Sequence, residues 1–285
     1  MKISVVIPTY NRSSQLRACL TSLKEQTINL AWEVIVVDDG GDQDLNGSVQ
    51  GFKSDLNILL IRQENQGPAT ARNAGVQEAK GDFIVFLDDD CEPQPDWLAT
   101  LYPKAQRNTI SGGKIENKLV HNSFSETSQR LVSFLYSEWK DTPWYFFTSN
   151  NFMVHRQTFL QAGGFDENFP TSAGEDREFC ARWIHLGNQM EYVPTAIVNH
   201  AHDLKLRSFW KMHSKYGGAA YLFGGKIKRL GVDALKPRIS FYMHLFGFVL
   251  QQKELGFKRA VSISFLIFVS QLATLFGLMK EKFRH

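Results

Sequence analysis

The sequence predicts an α/β fold: a doubly wound, mostly parallel sheet, followed by a helical, basic C-terminal segment. Three observations carry this. Short, β-branched, almost continuously apolar runs alternate with amphipathic stretches over the first hundred residues, as in a sheet buried on both faces by helices. Polar and acidic residues gather directly after those runs. Charge is also uneven: the net is +3, but residues 1–203 hold 17 Lys and Arg against 26 Asp and Glu, whereas Leu204 to His285 hold fifteen against three.

The strand candidates are "ISVVIP" (Ile3–Pro8), "WEVIVVD" (Trp32–Asp38), "NILLIR" (Asn57–Arg62) and "DFIVFLD" (Asp82–Asp88). Between the first two, "SSQLRACLTSLKEQ" places Leu16, Cys19, Leu20 and Leu23 on one helical stripe behind a serine cap. "GPATARNAGVQEAKG" reads as a second helix, with Pro68 near its start and Gly81 at its end. In "AGEDREFCARW", Phe179, Cys180 and Trp183 form the buried stripe of a helix that opens on Glu175 and Asp176. The aromatic run "YSEWKDTPWYFF" (Tyr136–Phe147) suits either an acceptor-side wall or core packing. Near the end, "ISFYMHLFGFVL" (Ile239–Leu250) is too short to span a bilayer, but Ala260 to Met279 is a chargeless run of twenty residues between basic flanks. That run either spans a membrane, lies on an anionic surface or packs as a core helix.

Apolar content of 43% with 21% charged residues is that of a folded globular protein. Cys19, Cys91 and Cys180 are scattered, odd in number and without metal-type spacing, so they read as reduced thiols of a cytoplasmic compartment. The opening apolar run, cut off by Pro8, reads as a first strand and not as a signal peptide. A basic end joined to long apolar runs favours a membrane surface over nucleic acid.

In doubly wound sheets, ligands bind beyond the carboxyl ends of the strands. There stand "PTYNR" after the first strand, "DDGGD" after the second, "QENQGPATARN" after the third and "DDDCEP" after the fourth. Like charges side by side repel, and a buried carboxylate needs a partner. A divalent cation and a nucleoside diphosphate together supply one, the phosphate oxygens completing the metal's coordination.

The ordered set "VVIPTYNR", "VIVVDDGGD", "NQGPATARNAG", "GDFIVFLDDDCEPQPDWL", "NNFMVHRQTF", "GGFDENF" and "GEDREFCARW" resembles glycosyltransferase family 2, over about residues 1–200. The resemblance implies a GT-A fold and an inverting transfer from a nucleotide sugar, with UDP- or dTDP-linked donors favoured. It implies a DxD motif in which Asp90 binds Mn²⁺ or Mg²⁺, Asp88 takes the ribose or a metal-bound water, and Asp89 faces away from the metal while belonging to the same donor loop. Asp39 resembles the aspartate that accepts from the uracil N3–H; Asp38 either caps the following helix or is the one that touches the base. Pro8 and Thr9 end the first strand beside the base, and Tyr10 packs on its face. Arg12 meets phosphate or makes a surface ion pair, and Arg72 lies near the donor. Asp176 matches the catalytic base, with Glu175 orienting neighbours or binding the acceptor. His200 is the expected third metal ligand and His202 the alternative.

The expected organisation is a GT-A domain over residues 1–203, with a nucleotide-binding half (about 1–115) and an acceptor half (about 116–203). A membrane-associating segment follows over 204–285. The expected partners are a nucleotide sugar, a glycan or lipid-linked acceptor, and the cytoplasmic face of a membrane; nucleic acid is not among them. A nucleotidyltransferase would want a glycine-rich loop after the first strand, and "PTYNRSSQ" has none. A phosphohydrolase with an aspartyl nucleophile would carry its acidic motif after the first strand. A silent scaffold would have lost the acidic motifs, and this chain keeps them.

Overall fold

The computed structural model describes residues 1–169, 173–233, 238–252 and 255–284. Two compact units divide the chain: Met1–Glu116 with Phe147–Ala201, and Asn117–Phe146 with His202–His285. The stretch expected to form one acceptor half is thus shared, residues 117–146 belonging with the C-terminal helices.

In the first unit the four anticipated strands form as β1 (Ile3–Thr9), β2 (Trp32–Asp38), β3 (Ile58–Arg62) and β4 (Phe83–Phe86). They are joined through α1 (Ser13–Lys24), α2 (Asn46–Gln50) and α3 (Pro68–Glu78). All four are parallel, β1 pairing with β2 and β4, and β2 with β3. Beyond them come β5 (Cys91–Pro93), α4 (Trp97–Leu101), β6 (Thr109–Asn117), β7 (Phe152–His155), α6 (Arg156–Gln161), α7 (Glu175–His185) and β8 (Gln189–His200), with α5 (Ser123–Glu138) between β6 and β7. The eight strands run in the order β3-β2-β1-β4-β7-β6-β8-β5. The sheet is therefore mixed: β7 is antiparallel to β4 and β6, and β5 to β8.

Packing explains why these segments hold. β1 and β2 are buried almost end to end, and Leu16, Cys19, Leu20 and Leu23 of α1 join Val5, Val34, Val36 and Val85 in one core. α1 carries no side-chain cap from a serine; instead Gln43 Oε1 accepts from the Ser13 N–H at 3.0 Å. α3 starts as expected, on Gly67 (φ +91°) followed by Pro68. At Gly81 a side chain would run into the β1 backbone at Ser4, so the chain passes there without one. A second aromatic core stacks Phe152 on Phe179, with Phe86, Phe159 and Phe165 edge-on or tilted around them.

The second unit is helical: α5, α8 (Leu206–Arg229), α9 (Ile239–Leu250) and α10 (Phe257–Lys282). Asn122 caps α5 through the Phe124 and Ser125 N–H groups. Most of the aromatic run is core: Tyr136, Trp139, Tyr145 and Phe146 are buried here, with Trp139 stacked on Phe241. Phe147, the last ring of the run, is buried in the first unit against Gly112. α8 and α10 approach backbone to backbone at two glycines. A Cβ on Gly277 would overlap the Ser214 carbonyl oxygen, and one on Gly217 the Thr274 carbonyl oxygen.

Those two glycines sit in helix interiors, where glycine costs roughly 0.5–1 kcal/mol against alanine. Gly277→Ala should nevertheless lower stability, by about 1–3 kcal/mol, because the crossing must open. Gly225→Ala, in the same helix as Gly217 but with open space around it, should raise stability by about 0.5–1 kcal/mol. Urea unfolding measures both. A Gly277→Ala protein as stable as the parent overturns the close crossing.

Candidate active site

Register builds the site. Thr9 pairs with Asp38 across β1 and β2, and the Asp39 N–H continues the ladder to the Thr9 carbonyl at 2.9 Å. The Leu87 N–H donates to Val6, so the chain leaves β4 beside the same edge. Asp38–Asp39 and Asp88–Asp89–Asp90 are therefore neighbours because three parallel strands end together.

Arginines supply the partners that the acidic triplet needs. Arg12 Nη1 lies 3.1 Å from Asp89 Oδ1 and 3.0 Å from Asp90 Oδ2, and the Thr9 hydroxyl donates to Asp89 Oδ2 at 2.7 Å. Asp89 is buried and shares Arg12 with Asp90; burial outweighs Arg12 and lifts its pKa to about 6. Arg12 is an ion-pair partner of the aspartates, and Tyr10 is exposed. Pro8 is buried within β1, opposite Val37.

Asp38 Oδ1 accepts from the Gly41 N–H at 3.0 Å, which closes a turn and caps no helix. Asp39 is buried, and its oxygens accept from Gln63 Nε2 (2.8 Å), the Gln66 N–H (3.0 Å) and the Gly67 N–H (2.9 Å). Oδ2 has one of these donors, which leaves a lone pair for another N–H.

Arg72 is the centre of the arrangement. It is buried in α3, with Nη2 2.6 Å from Asp88 Oδ1 and Nη1 3.2 Å from Glu175 Oε1. One guanidinium thus joins the aspartate loop to the start of α7, although Asp88 and Glu175 are 87 positions apart in the chain. Burial opposes its charge, but Asp88 and Glu175 outweigh that and raise its pKa. Glu175 is buried, and burial with the adjacent Asp176 raises its carboxyl to about 7 despite Arg72. Asp176, half-buried, accepts from the Arg177 N–H at 2.8 Å and is likewise raised by burial. Gly174, at φ +93°, turns the chain into α7.

Sequence reasoning did not anticipate β5, three residues long, or its consequence. β5 pairs antiparallel with β8, setting Cys91 opposite His200, and the Ala201 N–H donates to the Asp90 carbonyl at 2.9 Å. His200 Nε2 thereby lies 3.3 Å from Asp90 Oδ1. Burial opposes charging the ring, but the hydrogen bond to Asp90 and the charges of Asp90 and Asp88 raise its pKa. Asp90, Cys91 and His200 place one ligand atom each within 4.8 Å of one another, so a carboxylate and an imidazole stand where one divalent ion can reach both. His202 falls in the second unit, where its carbonyl accepts from the Ser125 hydroxyl.

Residues 4–163 match the profile of glycosyl transferase family 2, and residues 129–204 match a profile described as the N-terminal domain of galactosyltransferase. Among curated proteins, the chain is 30% identical over 227 residues to the pre-mycofactocin glycosyltransferase of Mycobacterium tuberculosis, covering 76% of this chain and 46% of that protein. It is also 30% identical over 242 residues to the chondroitin synthase of Escherichia coli, covering 70% and 34%. The chain thus spans less than half the length of these relatives. Among solved structures, the mannosyltransferase PcManGT from Pyrobaculum calidifontis superposes with a TM-score of 0.70 at 17% identity, covering 99% of this chain and 87% of that one. S. aureus TarS residues 1–349 superposes with a TM-score of 0.57 at 16% identity, over 100% and 92%. The fold is that of the GT-A glycosyltransferases, and the chain belongs to glycosyltransferase family 2.

Proposed function

We propose that the chain transfers a sugar from a uridine or thymidine diphosphate sugar to a hydroxyl of a glycan or lipid-linked acceptor, in one inverting displacement. The observation that carries this is the Asp88–Arg72–Glu175 bridge, because it makes the donor-side carboxylates and the acidic start of α7 one site. The solved neighbours support a metal-assisted donor: one is a complex with GDP-Man and Mn²⁺, another with UDP-GlcNAc. Asp39, an acceptor with a lone pair to spare, suits the N3–H of uracil or thymine.

Asp90 and His200 fit a divalent ion by donor type and spacing. When bound, such an ion supplies charge neutralisation for the departing diphosphate. Asp88, oriented by Arg72, would take the ribose or a water of the ion. Asp176 takes the acceptor hydroxyl proton as the new bond forms. Glu175 is less suited to that role, being more deeply buried and held by Arg72; it positions Arg72 instead.

The second unit supports attachment to an anionic membrane surface. α10 is long and apolar enough to cross a bilayer by length and composition. One face, including Ala260, Ile263, Ile267, Ser270, Ala273 and Gly277, is buried within its unit. The other exposes Val261, Phe265, Phe268, Leu272, Leu275, Phe276 and Met279. A helix packed lengthwise on lysine-bearing α8 suits lying in an interface more than spanning hydrocarbon. We place this face on the cytoplasmic leaflet, beside a membrane-borne acceptor.

Asp90→Asn should abolish Mn²⁺-dependent binding of uridine or thymidine diphosphate in calorimetry. His200→Ala should raise the Mn²⁺ needed by about tenfold or more, and His202→Ala should not. A mutant binding nucleotide like the parent at all Mn²⁺ levels removes that residue from the metal site.

Asp176→Asn should lower turnover by about 10²–10⁴-fold with donor affinity nearly unchanged; normal turnover would move the base to Glu175. The Glu175 carboxyl also ties stability to pH. Its folded pKa of about 7 exceeds the ordinary 4.5, so the folded state keeps a proton that the unfolded chain has released. Stability is full below the lower value and is lost as pH rises through the upper one. Glu175→Gln should lose less stability than the parent between about pH 5 and 8 in urea titrations; equal losses would count against the raised carboxyl.

On vesicles, the full chain should sediment with phosphatidylglycerol-containing membranes, less so at high salt, and weakly with neutral ones. Phe265→Asp with Phe268→Asp should release it. A chain indifferent to both vesicle types shows that the exposed face of α10 meets something other than lipid.

A further inference from the structure

We propose that Cys91 is a third protein donor at the Asp90–His200 metal position, one that hard ions leave alone and thiophilic ions engage. The proposal rests on reading Asp90 and His200 as metal ligands and adds to it the choice of metal.

The geometry comes from two rigid elements. β5 and β8 pair with Cys91 directly opposite His200, and directly opposed residues of an antiparallel pair project to the same face. Cys91, Asp90 and His200 each bring one ligand atom within 4.8 Å of the others, with His200 Nε2 3.3 Å from Asp90 Oδ1. Zinc–ligand bonds of about 2.0–2.3 Å hold tetrahedral donors nearly this close together, so small side-chain movements close the set on one ion. The thiol is aimed by its neighbours: Asn150 Nδ2 donates to Sγ at 3.6 Å, and Sγ lies 3.9 Å from Asp90 Oδ1. Cys19 and Cys180 have no comparable setting among the described residues. The Cys180 thiol points at the Phe147 carbonyl, and neither joins a metal-ligating group.

Donor softness then divides the ions. Mn²⁺ and Mg²⁺ favour oxygen and imidazole, so they take Asp90 and His200 and leave the remaining positions to water and phosphate oxygens. Zn²⁺, Cd²⁺ and Co²⁺ accept sulfur. With one of them the thiol binds as thiolate and releases its proton. Three protein ligands replace two, leaving fewer positions for the diphosphate. The same site that works with Mn²⁺ is therefore a trap for Zn²⁺ and Cd²⁺.

Co²⁺ titration of the full-length protein tests this without reference to turnover. The expected result is visible cobalt bands together with a near-ultraviolet sulfur-to-cobalt charge-transfer band. Cys91→Ser and Cys91→Ala should each lose the sulfur band and bind Cd²⁺ at least about tenfold more weakly in calorimetry. Mn²⁺ affinity, read from its paramagnetic resonance signal, should stay within about twofold of the parent, which also shows that the variants are folded. Cobalt bands without a sulfur band in the parent, or a sulfur band that survives both substitutions, overturn the role of Cys91 and leave the Asp90–His200 reading standing. Failure of the parent to bind Co²⁺ or Mn²⁺ overturns both.

Discussion

The arrangement depends on putting several carboxylates on one sheet edge and still folding. Without counter-charges, Asp88, Asp89, Asp90, Glu175 and Asp176 would repel one another in surroundings poor in water. Two guanidinium groups solve this differently. Arg12 is half-exposed and clamps Asp89 and Asp90 from the solvent side. Arg72 is buried and ties Asp88 to Glu175. Removing one partner of such a buried pair costs about 3–5 kcal/mol, because the other charge is left uncompensated. Residual mismatch is visible even so: Arg72 Nε and Glu175 Oε2 have no hydrogen-bond partner among the described residues. A site held this way is taut before any ligand arrives.

The parallel half of the fold was legible because burial on both faces leaves a strong trace, the nearly unbroken apolar runs of β1, β2 and β4. The amphipathic helices α1 and α7 were legible for the same reason, their stripes ending up fully buried. The triplet and Asp39 could be picked out because strand ends in such sheets converge, and the Glu175–Asp176 pair because it resembles a family motif. Their partners could not. That Arg12 would meet aspartates, or that Thr9 would bond Asp89, depends on side-chain directions at a shared edge, which spacing does not encode. β5 was hidden for a different reason: three residues containing a proline carry no periodicity, and only pairing with β8 makes them a strand. Cys91 gave no signal, since His200 comes beside it through strand register and not through sequence spacing.

The C-terminal helices show where composition misleads and where it helps. A chargeless run of twenty residues left three settings open, and α10 buries one face in its own unit. Ser270, Ala273 and Gly277 belong to that buried face. The buried face is thus mixed, Ile263, Leu266 and Ile267 giving way to Ser270, Ala273 and Gly277 toward the C-terminal end, and small residues there let α10 approach another backbone closely.

The interleaving of the two units has a consequence for how the chain is made. α5 leaves a ribosome long before α8, α9 and α10, the helices that complete its unit. At about 5–20 residues per second, the wait from the end of α5 to the end of α10 is on the order of 7–30 seconds. For much of that time Phe134, buried in the finished protein, lacks Phe241 and Phe248 of α9, the rings it packs against. The nascent chain carries a temporary sticky helix in its middle, a natural holding point for a chaperone.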